Sequence, residues 1–268
     1  MVATDGASDD ARVVGSDRVL AVLIELGAHP RGVSLDDLAA AMRSPKSTVH
    51  RALASLRRAG LASQIGRGTY VLGDEFFRLA FHNYAERPEA VRITPLLEQL
   101  AARFGETTHY AVLDGAEVVY RAKVDPPGGA VRLTSVVGGR NPAYRTAVGK
   151  LLLGYRVSDR DGLRLLLGDA PLEQRTPGTI TDLDRLWDEV QLSRERGYAV
   201  DDQENEVGVN CVAVPVPAED LNAPTGAISV SALAFRVPLP QLIAELPTIR
   251  AIVGRQQVPA AQPVPAVQ

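Results

Sequence analysis

The sequence predicts an α+β chain of two domains, a small winged helix-turn-helix followed by a larger domain that mixes strands and helices. Three observations carry this reading. Helix-period segments crowd residues 17–59 and are followed at once by a hairpin pattern with a glycine-rich tip. From about residue 92 to residue 255, strand-like and helix-period runs intermingle. The charge also reverses along the chain: residues 31–73 hold seven Lys/Arg against two acids, a balance of +5, whereas residues 74–268 hold 20 basic and 25 acidic groups. A basic module joined to an acidic one suits polyanion binding at one end only.

The elements follow in order. Residues 1–16, rich in Asp, Ser, Ala and Gly with no apolar period, are expected to be a flexible lead-in. The first domain spans 17–73. Val19, Leu20, Val22, Leu23 and Leu26 recur at helical spacing, and Gly27 with Pro30-Arg31-Gly32 closes that helix. Ser34 opens a short second helix, with Asp37 placed to complete a capping box. Ser44 is expected to cap a third helix, Pro45 standing in its first turn where no amide hydrogen is needed, and the helix runs to Ala59. Val49, Leu53 and Leu56 fall on one face, and Lys46, Ser47, His50, Arg51, Arg57 and Arg58 populate others. Residues 61–65 and 69–72 then read as a hairpin with Arg67 at its Gly-Arg-Gly tip, the position of a wing.

Residues 74–91 read as a linker helix offering Phe76, Phe77, Leu79 and Ala80 for packing in a core or a dimer seam. The second domain, 92–255, opens with a helix capped at Thr94-Pro95, then strands 108–113 and 117–124 around the Asp114-Gly115 turn. A strand near 131–137, helices near 147–155, 159–167 and 182–196, strands near 209–217 and 225–234, and a last helix over 238–254 complete it. Residues 256–268 alternate Pro and Ala without a periodic face, so disorder is expected.

Composition excludes several classes. Hydrophobic residues at 46% and charged residues at 23% are ordinary for a chain that folds in water. No apolar run approaches the ~20 residues that cross a bilayer, and the acidic N-terminus lacks a signal-peptide core, so no membrane partner and a cytoplasmic location are expected. The single Cys211 rules out an intramolecular disulfide and a cysteine-cluster zinc site.

The N-terminal part of a recognition helix enters the major groove with short polar and basic side chains. Here that part carries Ser44, Lys46, Ser47, Thr48 and Arg51, and Arg67 at the wing tip completes the candidate DNA-binding set. A winged helix repurposed for protein contacts would lack the basic face, which this one keeps.

The run SLDDLAAAMRSPKSTVHRALASLRRAGLASQIGRGTYVLG resembles the DNA-binding domain of the IclR family of transcriptional regulators. Further on, YRTAVGKLLL, ERGYAVDDQENEVGVNCVAVPV and GAISVSAL are similar to that family's second domain, in its order and spacing. The resemblance covers roughly residues 17–254. It implies a GAF-like effector-binding domain with an antiparallel sheet flanked by helices, and homodimers that often pair into homotetramers. It also implies a transcription regulator, with repression its usual mode, although the sequence leaves activation open. The partners it implies are operator DNA and a small organic acid effector. The matching effector-binding positions are Ala147, Val148, Asp201, Cys211, Ser229 and Ser231. Ser229 and Ser231, two apart on a strand, point to one face, where hydroxyls donate to a carboxylate. A constitutive DNA-binding protein whose second domain only oligomerises is the alternative.

Catalysis and cofactors fare poorly. AVGKLLL lacks the glycine-rich start and the Ser/Thr that a phosphate loop needs. Cys211 as a nucleophile would need a base, and His109 alone of the four histidines lies in the second domain, on a strand where a core or surface role is the usual one. No His, Cys and carboxylate cluster has ligand spacing, so neither a metal nor a cofactor is expected. Asp201, Asp202, Glu204 and Glu206 read as a solvated acidic loop, and Arg145 either faces the effector or lies at the surface.

Overall fold

The computed structural model describes residues 15–66, 68–85, 88–126, 128, 133–217 and 224–254. The chain divides into two compact units between Arg87 and Pro88. Most of the expected lead-in, all of the expected tail and Arg67 lie outside the described residues.

The first unit contains α1 (Gly15–Gly27), β1 (Val33–Ser34), α2 (Leu35–Ala41), α3 (Lys46–Arg58), β2 (Ala62–Ile65), β3 (Thr69–Leu72) and α4 (Asp74–Ala85). Its core is made where the helical stripes meet: Val22 and Leu26 of α1, Leu38 of α2, and Val49, Leu53 and Leu56 of α3 are all at most 2% exposed. Leu20, expected in that stripe, instead faces solvent with Ile24 one turn on. The Ser34 hydroxyl accepts the Asp37 amide at 3.1 Å and donates to the Asp37 carboxylate at 2.7 Å, closing the capping box. Ser44 does not cap α3: Pro45 holds that position, and the Ser44 hydroxyl donates to the Met42 carbonyl at 3.0 Å. The reason is local, because Arg43 has φ +47° and turns the chain so that the Ser44 side chain faces back toward α2. β2 and β3 pair antiparallel, with Ile65 opposite Thr69 at the tip, and β1 adds a two-residue edge on β3.

The second unit contains α5 (Pro88–Phe104), β4 (Thr107–Asp114), β5 (Glu117–Val124), β6 (Arg140–Pro142), α6 (Ala147–Arg156), α7 (Arg160–Leu167), α8 (Leu183–Arg196), β7 (Ala199–Asp202), β8 (Val209–Val216), β9 (Gly226–Leu233), α9 (Leu239–Ala244) and α10 (Leu246–Gly254). The six strands form one antiparallel sheet in the order β6-β5-β4-β9-β8-β7. Val212, Val214, Ile228 and Val230 pack one face against α5, α9 and α10. The other face presents Ala111, Ala213 and Ala227 to α6 and α8. Small side chains there let α6 approach the sheet closely. Gly149 is required by the same approach, since a Cβ on it would stand 2.1 Å from the Ala143 carbonyl oxygen in the single 3-10 turn that precedes α6.

Four expected elements of the second unit change. Thr94-Pro95 lies inside α5, which begins at Pro88: burial of Ile93, Leu96, Leu97 and Leu100 along one stripe outweighs the roughly 3 kcal/mol an interior proline costs. The last helix breaks at Glu245, because Pro247 has no amide hydrogen for the carbonyl of Ile243. The described part of the expected strand 131–137 is irregular, and the edge strand is β6 instead. Lys123 donates to the carbonyls of Leu133 and Ser135 at 2.9 Å each, so a side chain occupies them in place of a ladder. β7, absent from the sequence reading, follows Gly197, whose φ of +70° ends α8 in a left-handed cap.

Candidate nucleic-acid interface and candidate effector cavity

The buried stripe of α3 decides what the rest of the helix offers. With Val49, Ala52, Leu53 and Leu56 turned inward, Lys46, Ser47, His50, Arg51, Arg57 and Arg58 share the exposed side. Lys46, Ser47, His50 and Arg51 border one shallow, open depression at the helix's N-terminal end. Lys46 pairs with Asp36 of α2 at 2.8 Å, both side chains well exposed, a contact of little net worth that a phosphate can displace. Thr48 is half-buried beside the exposed face, and Ser44 is half-buried with its hydroxyl given to Met42. His50 was not among the sequence candidates, though its spacing from Lys46 and Ser47, one turn on, would have included it.

In the second unit a cavity of about 220 Å3 opens between the sheet and the start of α6. At roughly 30 Å3 per water it has room for about seven waters, which suits a small molecule. Ala147, Val148, Asp201, Cys211, Ser229 and Ser231 all line it. Register explains the convergence: Asp201 stands opposite Cys211, Cys211 opposite Ser231, and Ser229 opposite His109, so one residue after another crosses the sheet on the same face. Thr146 caps α6 by accepting the Gly149 amide at 3.0 Å, leaving the amide ends of Ala147 and Val148 at the cavity wall.

Arg145 is only 8% exposed and lines the cavity. Its guanidinium donates to Asn205 at 3.0 Å and to Glu173 at 2.9 Å, which fixes it inward of the surface. The acidic loop is not solvated as a whole. Asp201 and Glu204 are buried while Asp202 and Glu206 are exposed, because Lys150 of α6, itself 1% exposed, forms an ion pair with Glu204. The Asp201 carboxylate accepts the Glu204 amide at 2.7 Å and the Asn205 amide at 3.4 Å. Burial, reinforced by the neighbouring Glu204 carboxylate, still pushes Asp201 up to about 7. Burial also pushes the Cys211 thiol well above its ordinary value, so it is a poor nucleophile.

His109 lies on this cavity, a role its sequence position did not signal. Its Nε2 is 2.8 Å from the Ser135 hydroxyl and its Nδ1 3.4 Å from the Ser231 hydroxyl, which in turn accepts from the Cys211 thiol at 3.2 Å. Burial, with Lys123 opposite it on β5, holds the imidazole down to about 3. Among the described residues no group of His, Cys, Asp and Glu has the arrangement of a metal site, and no helix is long and apolar enough to cross a membrane.

The helix-turn-helix model of the IclR family matches residues 16–66, and the C-terminal model of the bacterial IclR regulators matches residues 87–252. The chain is 33% identical to the HTH-type transcriptional regulator KdgR of Escherichia coli over 201 residues, 74% of each chain. It is 32% identical to the HTH-type transcriptional regulator XynR of the same organism over 222 residues, 82% of this chain and 86% of that one. The crystal structure of an IclR transcriptional regulator from Alicyclobacillus acidocaldarius matches with a TM-score of 0.76 at 28% identity, covering 90% of this chain and 97% of that one. The matched proteins are named as regulators of transcription rather than as enzymes. With both of its units matched in this way, the chain belongs to the IclR family of bacterial DNA-binding transcriptional regulators.

Proposed function

We propose that the chain binds operator DNA through the exposed side of α3 and the wing, and that a small organic acid held in the cavity of the second unit modulates that binding. The observation that carries the second half is the convergence of four kinds of group on one small cavity: the amide end of α6, the Ser229 and Ser231 hydroxyls, the buried Arg145 and the near-neutral Asp201. Helix-end amides and hydroxyls donate to a carboxylate, and the Arg145 guanidinium, shared with Glu173, adds positive charge beside it. Asp201 tolerates an anion beside it because it takes a proton near pH 7, which makes it a donor.

Ser44, Lys46, Ser47, Thr48, Arg51 and Arg67 are the proposed DNA contacts. Ser47 and Arg51 have the exposure the role needs, while Thr48 and Ser44 are half-buried and are assigned to phosphates beside the helix rather than to base edges. A symmetric operator requires two copies. The exposed aromatic face of α4, where the Phe77 and Phe81 rings stack at 6.1 Å, is the proposed seam of a homodimer. Dimers of dimers and a cytoplasmic location complete the proposal.

The cavity half is tested by calorimetric titration with a panel of aliphatic and aromatic acids, using the wild type and a Ser229→Ala/Ser231→Ala double variant. Binding that the double variant loses is expected. Undiminished binding by the variant places the site elsewhere, and no binding by any acid favours a second unit that only oligomerises.

A further inference from the structure

A groove of about 360 Å3 lies at the surface of the second unit, between the last turn of α6 and one face of α8. Its floor forms where the two helices cross: Gly154 and Val157 meet Val190, and all three are buried. Gly154 permits the crossing, since a Cβ there would stand 2.8 Å from the Val190 carbonyl oxygen and 3.0 Å from the Arg194 Cβ. The wall is a helical stripe, Trp187, Gln191 and Arg194, at positions i, i+4 and i+7 of α8. Trp187 is the chain's one tryptophan and is half-buried, while Gln191 and Arg194 are exposed. Among the described residues the Trp187 indole N–H, the Gln191 side-chain amide and the Arg194 guanidinium have no hydrogen-bond or ion-pair partner. The wall therefore presents an aromatic surface beside three unused kinds of donor.

α10 is tied to the near end of this groove. Arg250 donates to the carbonyls of Arg196 and Gly197 at 2.7 and 3.1 Å, where α8 closes just past Arg194. α10 ends one turn later at Gly254, and at least fourteen residues follow, RQQVPAAQPVPAVQ. After Arg255 they carry no charged side chain, and Pro259, Pro263 and Pro265 fall within seven residues. Proline-rich segments favour the polyproline II helix, whose carbonyls have no internal donor and whose prolines dock on aromatic-lined grooves. We propose that the groove between α6 and α8 is the docking site of this chain's own segment 256–268. Pro263-Val264-Pro265 lies against the Trp187 ring, and the indole, Gln191 and Arg194 donate to the segment's carbonyls. The lengths agree. Trp187 and Arg194 are seven residues apart on α8, about 11 Å, which about four residues of polyproline II cover. The rest of the segment gives roughly 30 Å to bring the chain round from Gly254. Because segment and groove belong to one chain, a contact of only about millimolar intrinsic affinity suffices to keep them together.

The test reads Trp187 itself, by acrylamide quenching of its fluorescence excited where tyrosine is silent. The full chain is compared with a chain ending at Gly254 and with the full-length Pro263→Gly/Pro265→Gly variant. Truncation and the double variant are each expected to raise the quenching constant about twofold, as a docked population of about half or more is released. A synthetic peptide of residues 255–268, added to the truncated chain at about millimolar concentration, is expected to restore the protection, which a misfolded chain could not regain. Equal quenching of the full and truncated chains, protection that survives both proline replacements, or a peptide that leaves the truncated chain unprotected overturns the proposal. Protection of the full chain that is lost on dilution assigns the groove to a second copy and overturns it equally.

Discussion

Arg51 and Leu53 sit two residues apart on α3 and have opposite surroundings, exposed and 1% exposed. Arg51→Ala is expected to weaken operator binding with an unchanged melting temperature. Leu53→Ala removes a core side chain and is expected to cost about 2–5 kcal/mol of stability. Thermal melts of the two variants check the assignment of helix faces, and equal melting temperatures would contradict it. Asp201 makes a separate prediction about pH. Its folded-state pKa of about 7 lies above the ordinary carboxylate value, so between roughly pH 4 and 7 the folded state holds a proton the unfolded chain has lost. Its contribution to stability is therefore complete below about pH 4 and is lost as pH rises to about 7. His109, held neutral, acts in the opposite direction below about pH 6.5. The difference between wild type and Asp201→Asn isolates the carboxyl: the variant, whose amide oxygen still accepts the Glu204 amide, should gain on the wild type in melting temperature from pH 5 to pH 8. A constant difference across that range would show that Asp201 does not titrate there.

At the scale of elements, α4 makes the sharpest demand. Phe77, Leu79 and Phe81 are 42%, 43% and 67% exposed along one short helix, with the two phenylalanines one turn apart on the same face. Phe77→Ser/Phe81→Ser is expected to shift the chain toward monomer in sedimentation velocity while keeping its helix content; an unchanged dimer would place the seam elsewhere. What the sequence made legible follows from the range of the interaction concerned. The faces of α3, the Ser34 capping box, the β2–β3 hairpin and the β4–β5 pair rest on contacts within a few residues, and their patterns could be read directly. α5 running through Pro95 could not, because the stripe that stabilises it has meaning only against the sheet. The cavity divides the same way. Ser229 and Ser231 share a face by strand period, whereas Lys150 and Glu204 are 54 residues apart and His109 and Ser135 are 26 apart, so the burial of one pair and the cavity role of the other exist only in the folded unit.

For the whole molecule, the charge asymmetry of the sequence agrees with the proposed division of labour between the units: a basic helix face for a polyanion, and a cavity proposed to hold an organic acid in an otherwise acidic unit. Lys150 illustrates how the two ends of a motif separate in function, since its ammonium is committed to Glu204 and stiffens the loop behind Asp201 rather than meeting a ligand. The most direct measurement is fluorescence anisotropy of the full chain on duplex DNA from its own upstream region, over a salt series, with and without the acid that binds in calorimetry. Preference for that duplex over random DNA, affinity falling steeply as salt rises, and a shift in affinity on adding the acid that Ser229→Ala/Ser231→Ala abolishes are the expected results. Equal binding to random DNA, or an operator affinity that no bound acid changes, would contradict the account of an effector-controlled DNA-binding regulator.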